Sequence, residues 1–266
     1  MFGRWYNDYI PTNSGFLDAV PFPHVVVDNF FSDAFANELA DTFPEIDHTW
    51  HKYWNPIEKK YAKNTFDTLP SYTRLFANLQ SDDFVARMRK LTGIANLEAD
   101  PHLHGAGIHY HPRGGKLDMH LDYSIYPKTG KERRINIIMY LNRDWAAEYG
   151  GDLQLWDSDF TKCESRIAPV FNRAVIFQTS DISYHGIPTP IMCPEGDGRK
   201  SIAIYYVAEP RPEAAPRYKA QYRPLPDQPV TEGLARLYDL RVKQLITDEV
   251  LQEVYPNWEA EGNGYW

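Results

Sequence analysis

Between residues 104 and 208, short runs of β-branched and aromatic residues alternate with Gly, Pro, Asn and Asp. That texture confines the segment to antiparallel β architecture, because each run is long enough for one strand and each break supplies turn chemistry. The runs fall near 105–111, 116–122, 133–141, 151–157, 166–170, 173–178, 182–188 and 199–207. Eight strands in so short a stretch predict a double-stranded β-helix, or jelly roll. The fold class expected for the chain is mainly β with flanking helices.

The flanks read differently. Residues 1–100 form an N-terminal arm and supporting helices, 101–210 the jelly-roll core, and 211–266 a proline-rich strap with a C-terminal helix, together one structural domain. The arm, residues 1–22, is aromatic and rich in turn formers, and His24-Val25-Val26-Val27-Asp28 reads as a strand. Ser32 is placed to cap a helix whose apolar face carries Phe35, Leu39 and Phe43. A second helix is predicted over 82–92, with Asp82 and Asp83 at its positive end and Gly93 beyond its last turn. Residues 46–70 show no dominant period and read as loop. Pro210, Pro212, Pro216, Pro224, Pro226 and Pro229 mark an extended strap. Leu234, Tyr238, Val242 and Leu245 then predict a helix over about 231–247, capped by Thr231.

Composition narrows the function. Twenty-eight basic against 36 acidic residues leave a net charge of −8, which argues against binding nucleic acid or an anionic membrane through bulk charge. No apolar run approaches the roughly 18 residues that span a bilayer. The first twenty residues, with Asp8 and Asp18, do not resemble a signal peptide. Two cysteines, Cys163 and Cys193, suit a reducing compartment, so a cytoplasmic protein is expected. Gly105-Ala106-Gly107 and Gly196-Asp197-Gly198 lack the strand and helix context of a phosphate loop, and no Gly-x-Ser-x-Gly elbow is present.

His120-Leu121-Asp122 carries the chemistry. On a strand, residues two apart share a face about 6–7 Å apart, so one imidazole and one carboxylate reach a common ion. Two histidines with one carboxylate form the facial triad of non-haem Fe(II) oxygenases, which leaves coordination positions open. His185, 63 residues after Asp122, is the only histidine beyond it. Arg199, fourteen residues further on, opens an alternating apolar run. A guanidinium inside a barrel strand demands a counter-charge, and a dicarboxylate co-substrate supplies one in bidentate geometry. Ser201 lies two residues on, on the same face, and can add a hydrogen bond.

The pattern His120-x-Asp122, His185, Arg199-x-Ser201 resembles the Fe(II)- and 2-oxoglutarate-dependent dioxygenases, and within them the hypoxia-sensing and ribosomal prolyl hydroxylases. The likeness is strongest in Arg133-Arg134-Ile135-Asn136-Ile137-Ile138-Met139-Tyr140-Leu141-Asn142, then Trp145 and Gly150-Gly151-Asp152-Leu153-Gln154-Leu155. Pro21-Phe22-Pro23-His24-Val25-Val26 is similar to the opening of the ribosomal enzymes. The resemblance implies that His120, Asp122 and His185 hold Fe(II). It implies that Arg199 anchors the distal carboxylate of 2-oxoglutarate, with Lys200 as the alternative, and that Tyr140 and Tyr110 also contact the co-substrate. Arg133 and Tyr205 match positions that touch substrate. The implied reaction uses O2 and 2-oxoglutarate, with ascorbate as a further aid, and releases succinate and CO2 as it hydroxylates an unactivated C–H. Asp122 argues for hydroxylation, since halogenating relatives carry a small residue there.

The substrate is then a prolyl residue of a protein or peptide, or a free amino acid or other small metabolite. Trp50, Tyr53, Trp54 and Tyr123-Ser124-Ile125-Tyr126 could line its cleft. His109 and His111 share the strand face opposite Tyr110 and are expected away from the iron. From a different class, a cupin-like metal-binding jelly roll without 2-oxoglutarate turnover would use His109-x-His111; succinate release separates the two readings.

Overall fold

The computed structural model describes residues 1–8 and 15–261, so residues 9–14 of the predicted arm lie outside the described residues. A short helix α1 (Trp5–Asp8) and strand β1 (His24–Val27) lead into helix α2 (Asp33–Asp41). A hairpin of β2 (His51–Trp54) and β3 (Glu58–Lys63) precedes helices α3 (Pro70–Leu79) and α4 (Asp82–Thr92). The core strands follow: β4 (Glu98–Ala99), β5 (Gly107–Pro112), β6 (Lys116–Leu121), β7 (Glu132–Tyr140), β8 (Leu153–Trp156), β9 (Cys163–Ile167), β10 (Ala174–Gln178), β11 (His185–Ile187) and β12 (Gly198–Ala208). Strand β13 (Gln221–Tyr222) sits in the strap, and α5 (Glu232–Arg241), α6 (Asp248–Val254) and α7 (Trp258–Glu261) close the chain.

Hydrogen bonding runs β1-β10-β7-β12-β5-β3-β6-β11-β8-β9 in one curled sheet. Strand β3 joins its two halves. Glu58 and Lys59 pair with β6, opposite Leu117 and Lys116, whereas Tyr61, Ala62 and Lys63 pair with β5. The result is the double-stranded β-helix that the strand spacing predicts.

Alternation along β7 and β12 separates two environments. Ile135, Ile137, Met139, Ile202, Ile204 and Tyr206 point outward into the main apolar cluster, where Leu39, Tyr72, Leu75, Leu79, Phe84 and Met88 of α2–α4 cover them. The helices thus brace one sheet face and leave its inner face free for polar residues. Helix α4 ends as expected with Gly93 left-handed at φ 73°, and at its start Ser81 Oγ accepts from the Phe84 amide. Thr231 accepts from the Leu234 amide at the start of α5. Ser32 occupies the position before α2 without a side-chain cap bond.

Two expectations need correction. Residues 46–70, read as loop, contain the β2–β3 hairpin. Period-two alternation is hidden there because Glu58-Lys59-Lys60 is polar on both faces. Helix α3, begun by Pro70 at its first turn, follows directly. The single helix expected over 231–247 ends at Arg241, and α6 opens on Thr247, whose hydroxyl accepts from the Val250 amide.

Candidate active site

The inner face of the β-helix encloses a cavity of about 510 Å³. His120 ends β6 and His185 begins β11, and the two are direct partners across that ladder. This register brings the imidazoles together, with ring centroids 4.4 Å apart. Asp122, two residues after His120, places Oδ1 3.8 Å from His120 Nε2 and Oδ2 3.8 Å from His185 Nε2. All three residues are buried, and one ligand atom from each lies within 4.8 Å of the others. Among the described residues no other His, Cys, Asp or Glu group has this spacing.

Each imidazole is oriented from behind. His120 Nδ1 lies 2.9 Å from the Asp118 carbonyl and His185 Nδ1 2.9 Å from the Ser183 carbonyl. A carbonyl accepts only from a protonated Nδ1, so Nε2 is left as the free lone pair facing the carboxylate. Burial, reinforced by His185, lowers the His120 pKa to about 3 and keeps it neutral. Burial works against the Asp122 carboxylate, but His185, Arg133, His120 and Lys60 outweigh it and hold its pKa below the usual range. Asn136 Nδ2 donates to Asp122 Oδ2 at 3.5 Å, and Arg133 Nη1 stands 3.5 Å from Oδ1. Neutral nitrogen donors and one ionised carboxylate suit a borderline divalent metal such as Fe(II).

A second cluster lies on β12 and its neighbours. Arg199 is 1% exposed and makes no salt bridge among the described residues. Its Nε donates to the Gly151 carbonyl at 2.9 Å and its Nη1 to Ser201 Oγ at 3.3 Å. Opposite Arg199 on β5 sits His111, and opposite Ser201 on β7 sits Tyr140. Arg199 Nη2, the Tyr140 hydroxyl and both ring nitrogens of His111 are buried without hydrogen-bond partners. Orphaned buried donors are costly, and a carboxylate placed there would accept from Arg199 Nη2, the Tyr140 hydroxyl and the one protonated ring nitrogen of His111. A carboxylate such as the distal end of 2-oxoglutarate fits this donor set.

Other expected residues divide. Arg133 and Tyr205 line the cavity; the Arg133 guanidinium is sandwiched between the Tyr123 and Tyr205 rings, 3.6 and 3.3 Å from their centroids. Its Nη2 donates to the His104 carbonyl. Trp50, Tyr53 and Tyr123 line the cavity, whereas Trp54 and Tyr126 do not.

Tyr110 is a correction. Its ring packs beside Phe43 and Tyr61 on the helix-covered side, away from the cavity, because His109 and His111 take the inward positions of β5. Those two histidines, expected elsewhere, are thus wall residues of the site. Lys200 likewise faces outward, over the Phe43 ring, so the alternative anion binder is not in the cavity. Among the described residues His109 and His111 belong to no ligand cluster with a carboxylate, which removes the basis of a cupin-type site.

Asn136, whose amide faces Asp122, is a cavity residue to which the sequence assigned no role. Its signal was present: one amide within the apolar run Ile135-Asn136-Ile137-Ile138-Met139.

A double-stranded β-helix whose cavity holds a buried His-Asp-His triad and a buried, unpaired guanidinium is the arrangement that 2-oxoglutarate-dependent non-haem iron oxygenases use. Residues 106–207 match the family model described as the 2OG-Fe(II) oxygenase superfamily. The curated relatives include prolyl 3-hydroxylase OGFOD1 of Mus musculus, 26% identical over 177 residues, covering 64% of this chain and 30% of the relative. The Xenopus laevis OGFOD1 is 24% identical over 195 residues, covering 71% of this chain and 36% of the relative. The chain thus spans about a third of the length of these relatives. Among solved structures, a Trichoplax adhaerens prolyl hydroxylase, in complex with a hypoxia inducible factor oxygen degradation domain peptide fragment, superposes with a TM-score of 0.54 at 18% identity. It covers 70% of this chain and 83% of that one. A Pseudomonas putida prolyl-4-hydroxylase gives 0.50 at 15% identity, covering 70% and 92%. The chain is prolyl hydroxylase-like in sequence and fold. No helix among the described residues is long and apolar enough to cross a membrane.

Proposed function

We propose that the chain is an Fe(II)- and 2-oxoglutarate-dependent dioxygenase that hydroxylates a prolyl residue of a protein or peptide. The observation that carries this reading is the buried triad lying beside the orphaned donors of Arg199, Tyr140 and His111. Bound Fe(II) would supply the oxidative chemistry in which O2 gives one oxygen atom to succinate, with loss of CO2 from 2-oxoglutarate, and the other to the substrate C–H. The protein's part is binding and orientation. His120, Asp122 and His185 would hold the metal on one face. Arg199, Ser201 and Tyr140 would fix the distal carboxylate, and Arg133 and Tyr205 would meet the substrate at the mouth. Ascorbate would keep the iron ferrous, and the acidic, cysteine-poor chain suits the cytoplasm.

The test incubates the protein with Fe(II), 2-oxoglutarate and proline-containing peptides or free amino acids, scoring succinate and a mass gain of one oxygen. Hydroxylated peptide supports the proposal. Hydroxylation confined to free amino acids moves the substrate to a small metabolite, and absence of iron-dependent succinate refutes the dioxygenase reading.

A further inference from the structure

The cavity carries a charge opposite to that of the molecule. Lys60, Lys63, Arg133, Arg199, Lys219 and Arg241 line it against two carboxylates, Glu58 and Asp122, within a chain of net charge −8. Three of these cations have evident counterparts. Arg133 faces Asp122, Arg241 Nε holds Glu58 Oε1 at 3.0 Å, and Arg199 faces the co-substrate pocket. A divalent ion and a dicarboxylate cancel one another, so loading the site with both leaves the surplus in place.

Lys60 is the inward member of that surplus. On β3 it shares the cavity face with Glu58 and Ala62, whereas Lys59 turns to the Trp54 and Trp258 rings. Its Nζ lies 3.7 Å from Glu58 Oε2, a carboxylate already engaged by Arg241 and by the Tyr222 hydroxyl at 3.1 Å. The ammonium stands over the Tyr53 ring, 5.1 Å from its centroid. Its charge bears on Asp122 and His120 of the triad as well as on His109. A lysine so enclosed, with a shared counter-ion, lacks the full charge compensation that burial demands, and burial draws its pKa down. Lys63 is tied to the Thr49 hydroxyl and Lys219 lies half-buried on the strap; of the three lysines, Lys60 is the one whose charge bears on the triad. Strand β5 separates Lys60 from Arg199 in the sheet.

We propose that the substrate bears a carboxylate and that Lys60 receives it, which makes Lys60 a specificity-determining residue. This rests on the 2-oxoglutarate reading above and narrows its substrate. The carboxylate could be the α-carboxylate of a free amino acid or an acidic side chain next to the target proline in a peptide. The chemistry is shared, and the probes separate the sources.

The experiment loads the full chain with Fe(II) and 2-oxoglutarate under argon and follows the visible charge-transfer band as probes are added. L-proline is compared with L-prolinamide, and acetyl-Glu-Pro-Ala-amide with acetyl-Gln-Pro-Ala-amide. At least one acid should perturb the band at tenfold lower concentration than its amide. Lys60→Gln should erase that preference and Lys60→Arg should keep it, with 2-oxoglutarate saturation unchanged in both. Equal response to acid and amide, no response to any probe, or a Lys60→Gln protein that loses 2-oxoglutarate affinity would each overturn the inference while the band itself still forms. Failure of the wild-type band to form would overturn the dioxygenase reading and the inference with it.

Discussion

The Arg199 guanidinium lies against the Tyr140 ring, its Cζ 4.7 Å from the centroid, and each residue presents a buried polar atom with no partner. Such a pair is prepared for an anion and is costly without one. Arg199→Met should therefore separate stability from binding. Replacing a buried charge with an apolar side chain of similar length is often neutral or stabilising by about 1–4 kcal/mol, so the melting temperature of the metal-free protein should hold or rise. The affinity for 2-oxoglutarate should fall by at least about a hundredfold, since two charge-assisted hydrogen bonds are lost. Thermal melts and an anaerobic 2-oxoglutarate titration check both parts; a large loss of stability with affinity intact would contradict the assignment.

Gly151 makes room for that arginine. Its φ is +79°, and an added Cβ would lie 3.1 Å from Arg199 Cδ. Its carbonyl also accepts from Arg199 Nε. Gly151→Ala should cost about 1–2 kcal/mol of stability from the left-handed backbone and should raise the KM for 2-oxoglutarate by displacing the guanidinium. The neighbouring Gly150→Ala, where a Cβ meets nothing within 4 Å, should carry a similar backbone cost while leaving that KM unchanged. Equal KM values in the two variants would remove the packing argument.

Asn136 acts on the triad through Asp122. Supporting hydrogen bonds of metal ligands are worth about 10–100-fold in affinity when removed. Asn136→Ala should weaken metal binding by that order without altering 2-oxoglutarate affinity at saturating metal. Competition of Fe(II) or Zn(II) against a chelator measures it, and unchanged affinity would reduce Asn136 to a cavity wall.

How much of this was legible in the sequence depends on which physical signal each residue leaves. His120 and Asp122 are readable because strand periodicity alone places them on one face, and Arg199 because a charge opening an apolar strand needs explanation. Parity on β5 is just as clear: His109 and His111 share a face and Tyr110 takes the other. Which face turns inward depends on the pairing of His111 with Arg199, a tertiary fact, and so the resemblance put Tyr110 on the wrong side. Strand β3 left no signal because it is polar twice over: Lys60 and Glu58 face the cavity, while Lys59 reaches aromatic rings supplied by Trp54 and by Trp258, near the end of the described chain.

The strap is fastened to the metal-binding segment by Arg217. Its Nε donates to the Asp122 carbonyl at 3.2 Å, its Nη2 to the Ser180 carbonyl at 3.2 Å, and its Nη1 pairs with Asp181. Arg217 thus joins the segments on either side of the triad to residues 209–230. Arg217→Ala leaves buried carbonyls without donors, at about 1–3 kcal/mol for each unsatisfied group. Limited proteolysis should cut within 209–230 faster in the variant, and the metal-free protein should melt earlier. Unchanged cleavage and melting would show that β13 and α5 hold the strap by themselves.

The cavity histidines predict how stability depends on pH. In the folded chain the pKa of His120 is lowered to about 3 by burial and by His185, and that of His109 to about 3 by burial with Lys60 and Arg199. Burial, with Arg199 and Lys60 beside it, lowers His111 in the same direction. An unfolded histidine titrates near 6.5. Between these values the unfolded state binds more protons, so stability is fully present above about pH 6.5 and falls as pH drops, by up to about 1.4 kcal/mol per pH unit for each histidine. Asp118, whose pKa burial raises, is common to the wild type and the His109→Gln variant, so the comparison of the two between pH 6.5 and 5 isolates the imidazole. Urea midpoints of the metal-free protein should be flat from pH 8 to 7 and decline from 6.5 to 5, and His109→Gln should flatten that decline. A midpoint constant down to pH 5 would mean that these rings are not held neutral.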